Sequence, residues 1–350
     1  MKKLTIFLVL VLSALSLFGQ NIQITPVDFN SGYDDFGAFM TQNGKTIFFS
    51  TDRDGGQKVF FVKRMDGGWE LQGEIDGQVN NSQQSGSCTI TPDGQYMIFA
   101  ATEHASGGEG RTDLYSARKV KGEWTDIRNL GPAVNSGYWD SQPALSSDGN
   151  TLYFVSDRPG GYGGTDIYMS KRSYEGWSKA VNLSGINSES DEMSPLVAVD
   201  NQTFTFASNK AGGIGGFDIY FAKVNDQNFS SIKNAGTPIN SPADDMFYFV
   251  VANSKTAYLT SNRNNSSALD IFTAIPNPHT SGAVVNVQGI VTDAVTGDPL
   301  DCEIIITDLK TKQKVALLHS DDEDGSYFVV LQPGRNYSIT ANKKGYVFYS

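Results

Sequence analysis

The chain has 350 residues, of which 39% are hydrophobic and 36 are glycine, and its formal net charge is −11. This apolar content can build folded cores and excludes wholesale disorder, while abundant glycine and aromatic residues favour short strands joined by tight turns. An acidic chain lacks the lysine and arginine surface that phosphate backbones require, so nucleic-acid binding is excluded as a first hypothesis.

The N-terminus has the pattern of a secretory signal peptide. Lys2 and Lys3 precede a nearly unbroken apolar run over residues 4–18. A short basic region followed by such a run is typical of an export signal, and the run is too short to span a membrane comfortably. No cysteine stands near the expected cleavage point at Gly19, so we expect no lipid anchor there. The sequence predicts a signal peptide over residues 1–19 and an exported protein.

An internal repeat organises the next 250 or so residues. An asparagine ends five connecting segments, at intervals of 50, 55, 52 and 53 residues. These marker asparagines are Asn30, Asn80, Asn135, Asn187 and Asn240. Each repeat contains two β-rich runs separated by turn signals, then a strand like that of residues 165–168, then a strand opened by Trp or Phe in most repeats. Each repeat therefore holds four short strands, and five repeats fit between Asn30 and about residue 275.

Four-stranded units in series are what a β-propeller requires, because each blade packs against its neighbours around a central channel. The fifth repeat ends after its third strand, at residues 270–274. Residues 22–25 align with the strand that completes the other repeats. We therefore predict that the N-terminal strand pairs with residues 270–274 and closes a five-bladed ring over residues 20–275, which removes an exposed edge.

Three segments carry a family resemblance for this region: residues 91–94 (T-P-D-G), 156–158 (S-D-R) and 165–168 (T-D-I-Y). They resemble the PD40 (WD40-like) repeat of TolB-type propellers. After a linker at residues 276–283, residues 284–350 resemble the carboxypeptidase-regulatory-like domain, a transthyretin-like β-sandwich that has no peptidase site. The expected fold class is therefore all-β, a five-bladed β-propeller plus a small sandwich, which we expect to be truncated at residue 350.

The order of these parts is similar to that of OmpA-family outer-membrane proteins of Bacteroidetes. In that family a C-terminal OmpA-like domain binds peptidoglycan, and this sequence lacks it, so we assign peptidoglycan binding to no residue. The resemblance implies a non-catalytic interaction or scaffold module of an outer-membrane-associated or secretion assembly in the periplasm. It also implies protein partners of the outer membrane or periplasm, and no cofactor.

The alternative function is a carbohydrate-binding or glycoside-active propeller. Five-bladed propellers also include glycosidases, which need two carboxylates converging on the sugar. The sequence suggests no catalytic residue, and we expect the protein not to be an enzyme.

An acidic and a basic residue recur 18 positions apart in four of the five repeats. The pairs are Asp35–Arg53, Asp140–Arg158, Glu192–Lys210 and Asp245–Arg263. The second repeat has Ser85 and Glu103 instead, and so lacks both partners. In an antiparallel hairpin the start of one strand lies beside the end of the next, so we predict structural ion pairs within about 4 Å. A ring of charges that faces a ligand is the alternative.

Four aspartates begin the third strands of repeats two to five. They are Asp113, Asp166, Asp218 and Asp270. Their recurrence favours hydrogen bonding between loop and strand over a metal or acid–base role, and we predict no metal site. We also expect each of the last three to share the basic residue of its blade.

Aromatic and acidic residues that do not repeat lie in the connections that lead into the first strands. They are Tyr33, Asp34, Phe36, Tyr138, Trp139, Glu189, Asp191, Asp244, Met246 and Phe247. Aromatic rings among carboxylates suit recognition of a protein loop or a glycan, so these residues form a candidate binding rim. Packing between blades is the alternative.

Overall fold

The computed structural model describes residues 21–41, 43–173, 176–264, 267–279, 281–321 and 323–346. The predicted signal peptide, residues 1–19, lies outside the described residues and stays a prediction. Within the described ranges, no helix is long and apolar enough to cross a membrane.

Every element of the described residues is a strand or an isolated bridge, and the strands of the first 275 residues form five antiparallel sheets, termed blades one to five in chain order. Blade one contains β2 (Asp35–Met40), β3 (Thr46–Thr51), β4 (Lys58–Met65) and β5 (Gly68–Glu74), and it follows the N-terminal strand β1 (Gln23–Pro26). Blade two contains β6 (Gln84–Ile90), β7 (Tyr96–Thr102), β8 (Asp113–Val120) and β9 (Glu123–Asn129). Blade three contains β10 (Asp140–Leu145), β11 (Thr151–Ser156), β12 (Asp166–Ser173) and two short strands, β13 (Gly176–Trp177) and β14 (Val181–Asn182). Blade four contains β15 (Glu192–Val197), β16 (Thr203–Ser208), β17 (Asp218–Asn225) and β18 (Asn228–Asn234). Blade five contains β19 (Asp245–Val250), β20 (Ala257–Ser261) and β21 (Asp270–Ile275). The all-β propeller prediction is confirmed.

The ring is closed by the N-terminal strand. β1 pairs antiparallel with β21, with Gln23 opposite Ile275 and Pro26 opposite Phe272. Blade five also packs directly on blade one, where the Phe39 and Phe249 rings lie 5.1 Å apart. The predicted pairing of the N-terminal strand is confirmed, and it leaves blade five with four strands, as in blades one, two and four.

The marker asparagines lock each connecting segment to the preceding blade. The side-chain amide of Asn135 accepts a hydrogen bond from Leu114 N at 2.9 Å and donates one to Leu114 O at 3.0 Å, as a paired strand residue would. The same pair of hydrogen bonds recurs between Asn30 and Ile271, Asn80 and Val59, Asn187 and Ile167, and Asn240 and Ile219. Asn30 precedes blade one and holds blade five, so it provides a second closure of the ring.

Each first strand carries a β-bulge at the central channel. The residue at the bulge has a left-handed backbone, with φ between 40° and 64°: Gly37, Ser87, Gln142, Ser194 and Phe247. Such a backbone strains a non-glycine residue by about 1–2 kcal/mol. Four of these bulge residues, Gly37, Ser87, Gln142 and Phe247, line a cavity of about 10 Å³, room for roughly one water molecule.

The C-terminal strands form two small sheets. One pairs β22 (Val285–Ile290) with β25 (Ser326–Leu331), and the other has the order β24 (Lys314–His319), β23 (Glu303–Asp308), β26 (Tyr337–Asn342). Ile304, Ile306, Leu318 and Val329 are among the residues of their common core.

This C-terminal region contacts one edge of the ring. The edge at which the first strands begin is termed the front face, and the edge at which they end is the back face. Gln95 lies in a back-face turn, and its Nε2 donates to Asp321 Oδ2 at 2.7 Å. Asp200 lies in another back-face turn and accepts a hydrogen bond from Gly282 N at 2.5 Å. The front face contains the predicted rim.

Candidate functional site

Three of the four charge pairs meet at the front face. Arg53 Nη2 lies 2.6 Å from Asp35 Oδ1, and Arg158 Nη2 lies 2.5 Å from Asp140 Oδ1. Arg263 contacts Asp245 in the same way. All three carboxylates are fully buried, so they need this compensation.

The third blade shows how such a carboxylate is satisfied. The second oxygen of Asp140 accepts hydrogen bonds from Ser136 N at 2.6 Å and Ser136 Oγ at 2.8 Å. Arg158 also donates to the Val134 carbonyl, which precedes the marker asparagine, at 2.6 Å. The pair therefore ties the connecting segment to both strands of the hairpin.

The predicted Glu192–Lys210 contact is wrong, because no ion pair joins these two described residues. Lys210 Nζ lies 3.8 Å from the centroid of the Tyr220 ring instead. Ser208 Oγ donates a hydrogen bond to Glu192 Oε1 at 2.8 Å. The equivalent serine of blade three, Ser156, instead accepts a hydrogen bond from Arg158. A lysine ammonium is a compact point charge without the planar fork by which arginine contacts the carboxylate, the serine and the carbonyl at once. Burial raises the pKa of Glu192 and lowers that of Lys210.

Blade two replaces the pair with hydroxyl groups. Ser85 Oγ donates to the Val79 carbonyl at 2.8 Å, the position that arginine occupies in blades one, three and five. Glu103 is exposed and has φ 51°. Blade two thus holds no charge at this buried position.

The third-strand aspartates accept hydrogen bonds from the backbone of the loops that precede them. Asp166 accepts hydrogen bonds from Tyr162 N at 2.6 Å and Gly163 N at 3.3 Å, and Asp218 repeats this with the equivalent loop of blade four. Asp113 accepts from Gly110 N at 3.1 Å. Burial raises the pKa of Asp113 and the pKa of Asp270. The negative charges of nearby Asp35 and Asp34 raise the pKa of Asp270 further.

The expected sharing of one basic residue by two acids is not found in the described part of the chain. Arg158 forms its ion pair with Asp140, while Asp166 is satisfied by backbone N–H groups. The loop amides lie closer to this aspartate because the chain turns back on it within four residues.

Three acidic residues of the predicted rim link neighbouring blades. Asp34 Oδ1 accepts a hydrogen bond from Leu269 N of blade five at 2.7 Å. Asp191 Oδ1 accepts from Thr165 N at 2.9 Å, and Asp244 Oδ1 accepts from Phe217 N at 2.9 Å. The packing alternative describes these three residues better than ligand binding.

The aromatic and other rim residues divide into buried, half-buried and exposed members. Met246 and Phe247 are buried, and the Phe247 ring lies 5.8 Å from the Phe36 ring across the junction of blades five and one. The exposed members are Tyr33, Tyr138 and Glu189, with Tyr33 57% and Tyr138 44% exposed. Trp139 is half-buried at the position where blades one, four and five have an acidic residue.

A pocket of about 140 Å³ opens at the front face where blades one, two and three meet. Phe36 and Trp139 are its aromatic residues, and its polar lining consists of Gln57, Gln84, Gln142, Ser87, Ser141, Thr102 and Thr112. Gly86, Ala100 and Ala101 complete the lining, in which no residue is charged.

The pocket exists because blade two departs from the repeat. Gly86 pairs with Ala100 at the register position where Phe36, Met193 and Met246 stand in blades one, four and five. The missing side chain leaves room for the Gln57 amide at the pocket wall, since a Cβ on Gly86 would lie 2.0 Å from Gln57 Nε2.

Two amide side chains of the pocket are uncommitted. Across the described residues, neither Gln57 nor Gln84 has a side-chain hydrogen-bond partner. Gln142 Oε1 accepts from Ser194 N at 2.6 Å, and the Thr102 and Thr112 hydroxyls lie 2.9 Å apart. The sequence prediction missed this site, although the glycine at a position of large residues was its signal.

Metal binding has no visible basis in the described ranges, where no group of three or more His, Cys, Asp or Glu side chains could hold an ion. The pocket instead offers amides, hydroxyls and aromatic rings. That arrangement can bind an uncharged polar group by hydrogen bonds and apolar contact.

Comparison with known proteins gives similarity of fold only. No protein-family model and no curated protein matches the sequence. TolB from Acinetobacter baumannii is 14% identical, with 71% of this chain and 55% of that chain covered and a TM-score of 0.43. A protein described as TolB from Agrobacterium tumefaciens is 13% identical, with 89% and 96% covered and a TM-score of 0.45. The propeller part of the predicted resemblance is supported, while the sandwich and OmpA-family parts stay proposals.

The expectation that the protein is not an enzyme is wrong as an inference from its architecture. An endo-arabinase from Bacteroides thetaiotaomicron is also similar, at 15% identity, with 74% of this chain and 98% of that chain covered and a TM-score of 0.49. Since enzymes share this fold, a propeller of this kind can be catalytic.

Proposed function

We propose that the chain is an exported interaction module of an outer-membrane-associated or secretion assembly, and that its front face contacts a protein partner. The carrying observation is the exposure of Tyr33 and Tyr138 on that face. Tyrosine combines a large apolar surface with a hydroxyl group and is enriched among residues that dominate protein interfaces.

The position of the C-terminal region supports this choice of face. Gln95 and Asp200 bind Asp321 and Gly282 at the back face, so that edge already has intramolecular contacts. We propose that residues 284–350 are a regulatory-like sandwich, joined through residues 276–283 to a propeller over residues 20–275. Periplasmic location and export follow from the signal-peptide pattern of residues 1–19 and belong to the same proposal.

Site-specific photo-crosslinking tests the proposal in the native cell envelope. A photoreactive amino acid replaces Tyr33, Tyr138 or, as a control, Val120, which is 41% exposed at the back-face end of β8. We expect the two tyrosine positions to yield a discrete crosslinked protein and Val120 to yield none. Equal yields at all three positions, or a product from Val120 alone, would contradict the proposed surface.

A further inference from the structure

We propose that the pocket of blade two binds one uncharged sugar residue, a ligand class that goes beyond the protein partner proposed above. The repeat provides the first argument, because residues that hold the blades together recur in several blades. Gly86 is the smallest residue at a position that Phe36, Met193 and Met246 fill in blades one, four and five and that Ser141 holds in blade three. Blade two is also the one blade without a buried acidic residue at the start of its first strand, and it contributes most of the pocket lining.

The polar lining matches hydroxyl groups. A carboxamide carries a donor and an acceptor side by side, and a sugar hydroxyl acts as both donor and acceptor. The Gln57 and Gln84 amides have no side-chain hydrogen-bond partner among the described residues, so they can bind a ligand without breaking an existing contact. Ser141 and Thr112 add hydroxyls in the same lining.

The same lining disfavours a charged ligand. No lysine, arginine, aspartate or glutamate contributes to it. An ionised group that left water for this pocket would lose hydration without gaining a counter-charge. A carboxylated or phosphorylated sugar should therefore bind less well than its neutral counterpart.

Shape and aromatic surface limit the ligand to a single ring. Phe36 and Trp139 supply half-buried aromatic surface against which the C–H groups of a sugar can pack. The pocket volume of about 140 Å³ suits one sugar ring but not an oligosaccharide chain. The pocket is open at the front face, so a terminal residue of a glycan could enter.

The test uses the full exported chain and ligand-observed saturation-transfer NMR. The probes are the methyl glycosides of glucose, galactose and N-acetylglucosamine, with methyl glucuronide as the charged probe. We expect at least one neutral glycoside to bind and the glucuronide to bind about tenfold more weakly.

Two variants locate the binding in the pocket. Gly86→Met introduces the residue that blades four and five carry, and its Cβ displaces only the flexible end of Gln57 and approaches Ser50 Oγ at 3.1 Å. Gln84→Ala removes an exposed amide and leaves the backbone pairing of β6 intact. Each should weaken binding of the neutral glycoside about tenfold or more. Gln72→Ala is the matched control, because it removes an exposed glutamine from β5, outside the pocket lining.

Several outcomes would overturn the sugar proposal. They are failure of all three neutral glycosides to bind, equal binding of the glucuronide, or unchanged binding by both Gln84→Ala and Gly86→Met. If Gly86→Met fails to fold, Gln84→Ala alone decides. Loss of the Tyr138 crosslink in Gln84→Ala without sugar binding by the wild type would show that the pocket serves the protein partner instead.

Discussion

At the scale of single residues, three blades of this molecule satisfy the buried polar side chain at the start of the first strand in three different ways. Blade three buries Asp140 against Arg158, blade four buries Glu192 against serine hydroxyls, and blade two buries only Ser85. Burial of an ionised carboxylate is unfavourable unless it is paired and hydrogen-bonded. The arginine blades are therefore the ones in which removal of the cation leaves the largest uncompensated charge.

Arg158→Ala should destabilise the fold by about 3–5 kcal/mol, because Asp140 would remain fully buried without its cationic partner. Lys210→Ala is the matched control, since Lys210 contacts the Tyr220 ring and forms no ion pair with Glu192 in the described structure. It should cost about 1 kcal/mol. Urea unfolding of both variants measures the difference, and equal losses of stability would show that the blade-three pair has no special role.

The residue-scale comparison also shows what spacing could and could not predict. A constant separation of 18 residues located the three arginine pairs, because strand pairing fixes which positions lie side by side. The failure at Lys210 has a cause outside that hairpin. Tyr220 belongs to the third strand, and no spacing rule says whether a lysine will turn to its ring or to Glu192.

At the scale of elements, connecting segments are fixed by polar side chains that imitate strands. The recurrence of the marker asparagines was visible in the sequence, but the partners of the last four lie about 20 residues earlier in another strand, and that of Asn30 is Ile271. The recurrence of a residue in a repeat indicates a structural role but does not identify the residue that it contacts. Asp200 fixes the linker to blade four as Asn135 fixes a connecting segment to blade two. Its carboxylate accepts hydrogen bonds from Thr203 N, Gln202 N and Gly282 N.

Asp200→Asn should loosen the linker with a defined pH dependence. Burial raises the pKa of Asp200, but the hydrogen bonds from Thr203, Gly282 and Gln202 outweigh burial and leave the pKa below its usual range. A lowered folded-state pKa stabilises the protein above the usual aspartate value of about 3.9, and this contribution is lost as pH falls through the folded-state value. We expect the variant to lose about 1–3 kcal/mol at neutral pH and progressively less below about pH 4.

Urea unfolding of wild type and variant across this pH range gives the measurement. Asp298→Asn, at an exposed aspartate of the C-terminal region, is the control and should follow the wild type. A gap between wild type and Asp200→Asn that widens toward acid would contradict the predicted sign.

At the scale of the whole molecule, the sequence predicted a closed ring because the fifth repeat has one strand fewer than a complete blade. Blade five lacks a fourth strand of its own, and residues near the N-terminus fill the gap. The pocket escaped the same reasoning, because a repeat analysis looks for what recurs. Gly86 became informative only when the structure showed that Phe36, Met193 and Met246 occupy its register position.

The closing strand gives the last prediction. A chain that starts at residue 27 lacks β1, so the edge of β21 loses its partner, and the apolar contacts of Ile22 and Ile24 with the core of blade five disappear. We expect a loss of about 2–4 kcal/mol and self-association through the open edge, relative to a chain that starts at residue 21. Calorimetry and light scattering after gel filtration measure both effects. Thr25→Ala changes an exposed side chain of β1 without removing its backbone pairing and should keep the stability and oligomeric state of the chain that starts at residue 21. If the shortened chain has the same thermal midpoint and mass per particle as that control, Asn30 alone suffices to hold blade five against blade one.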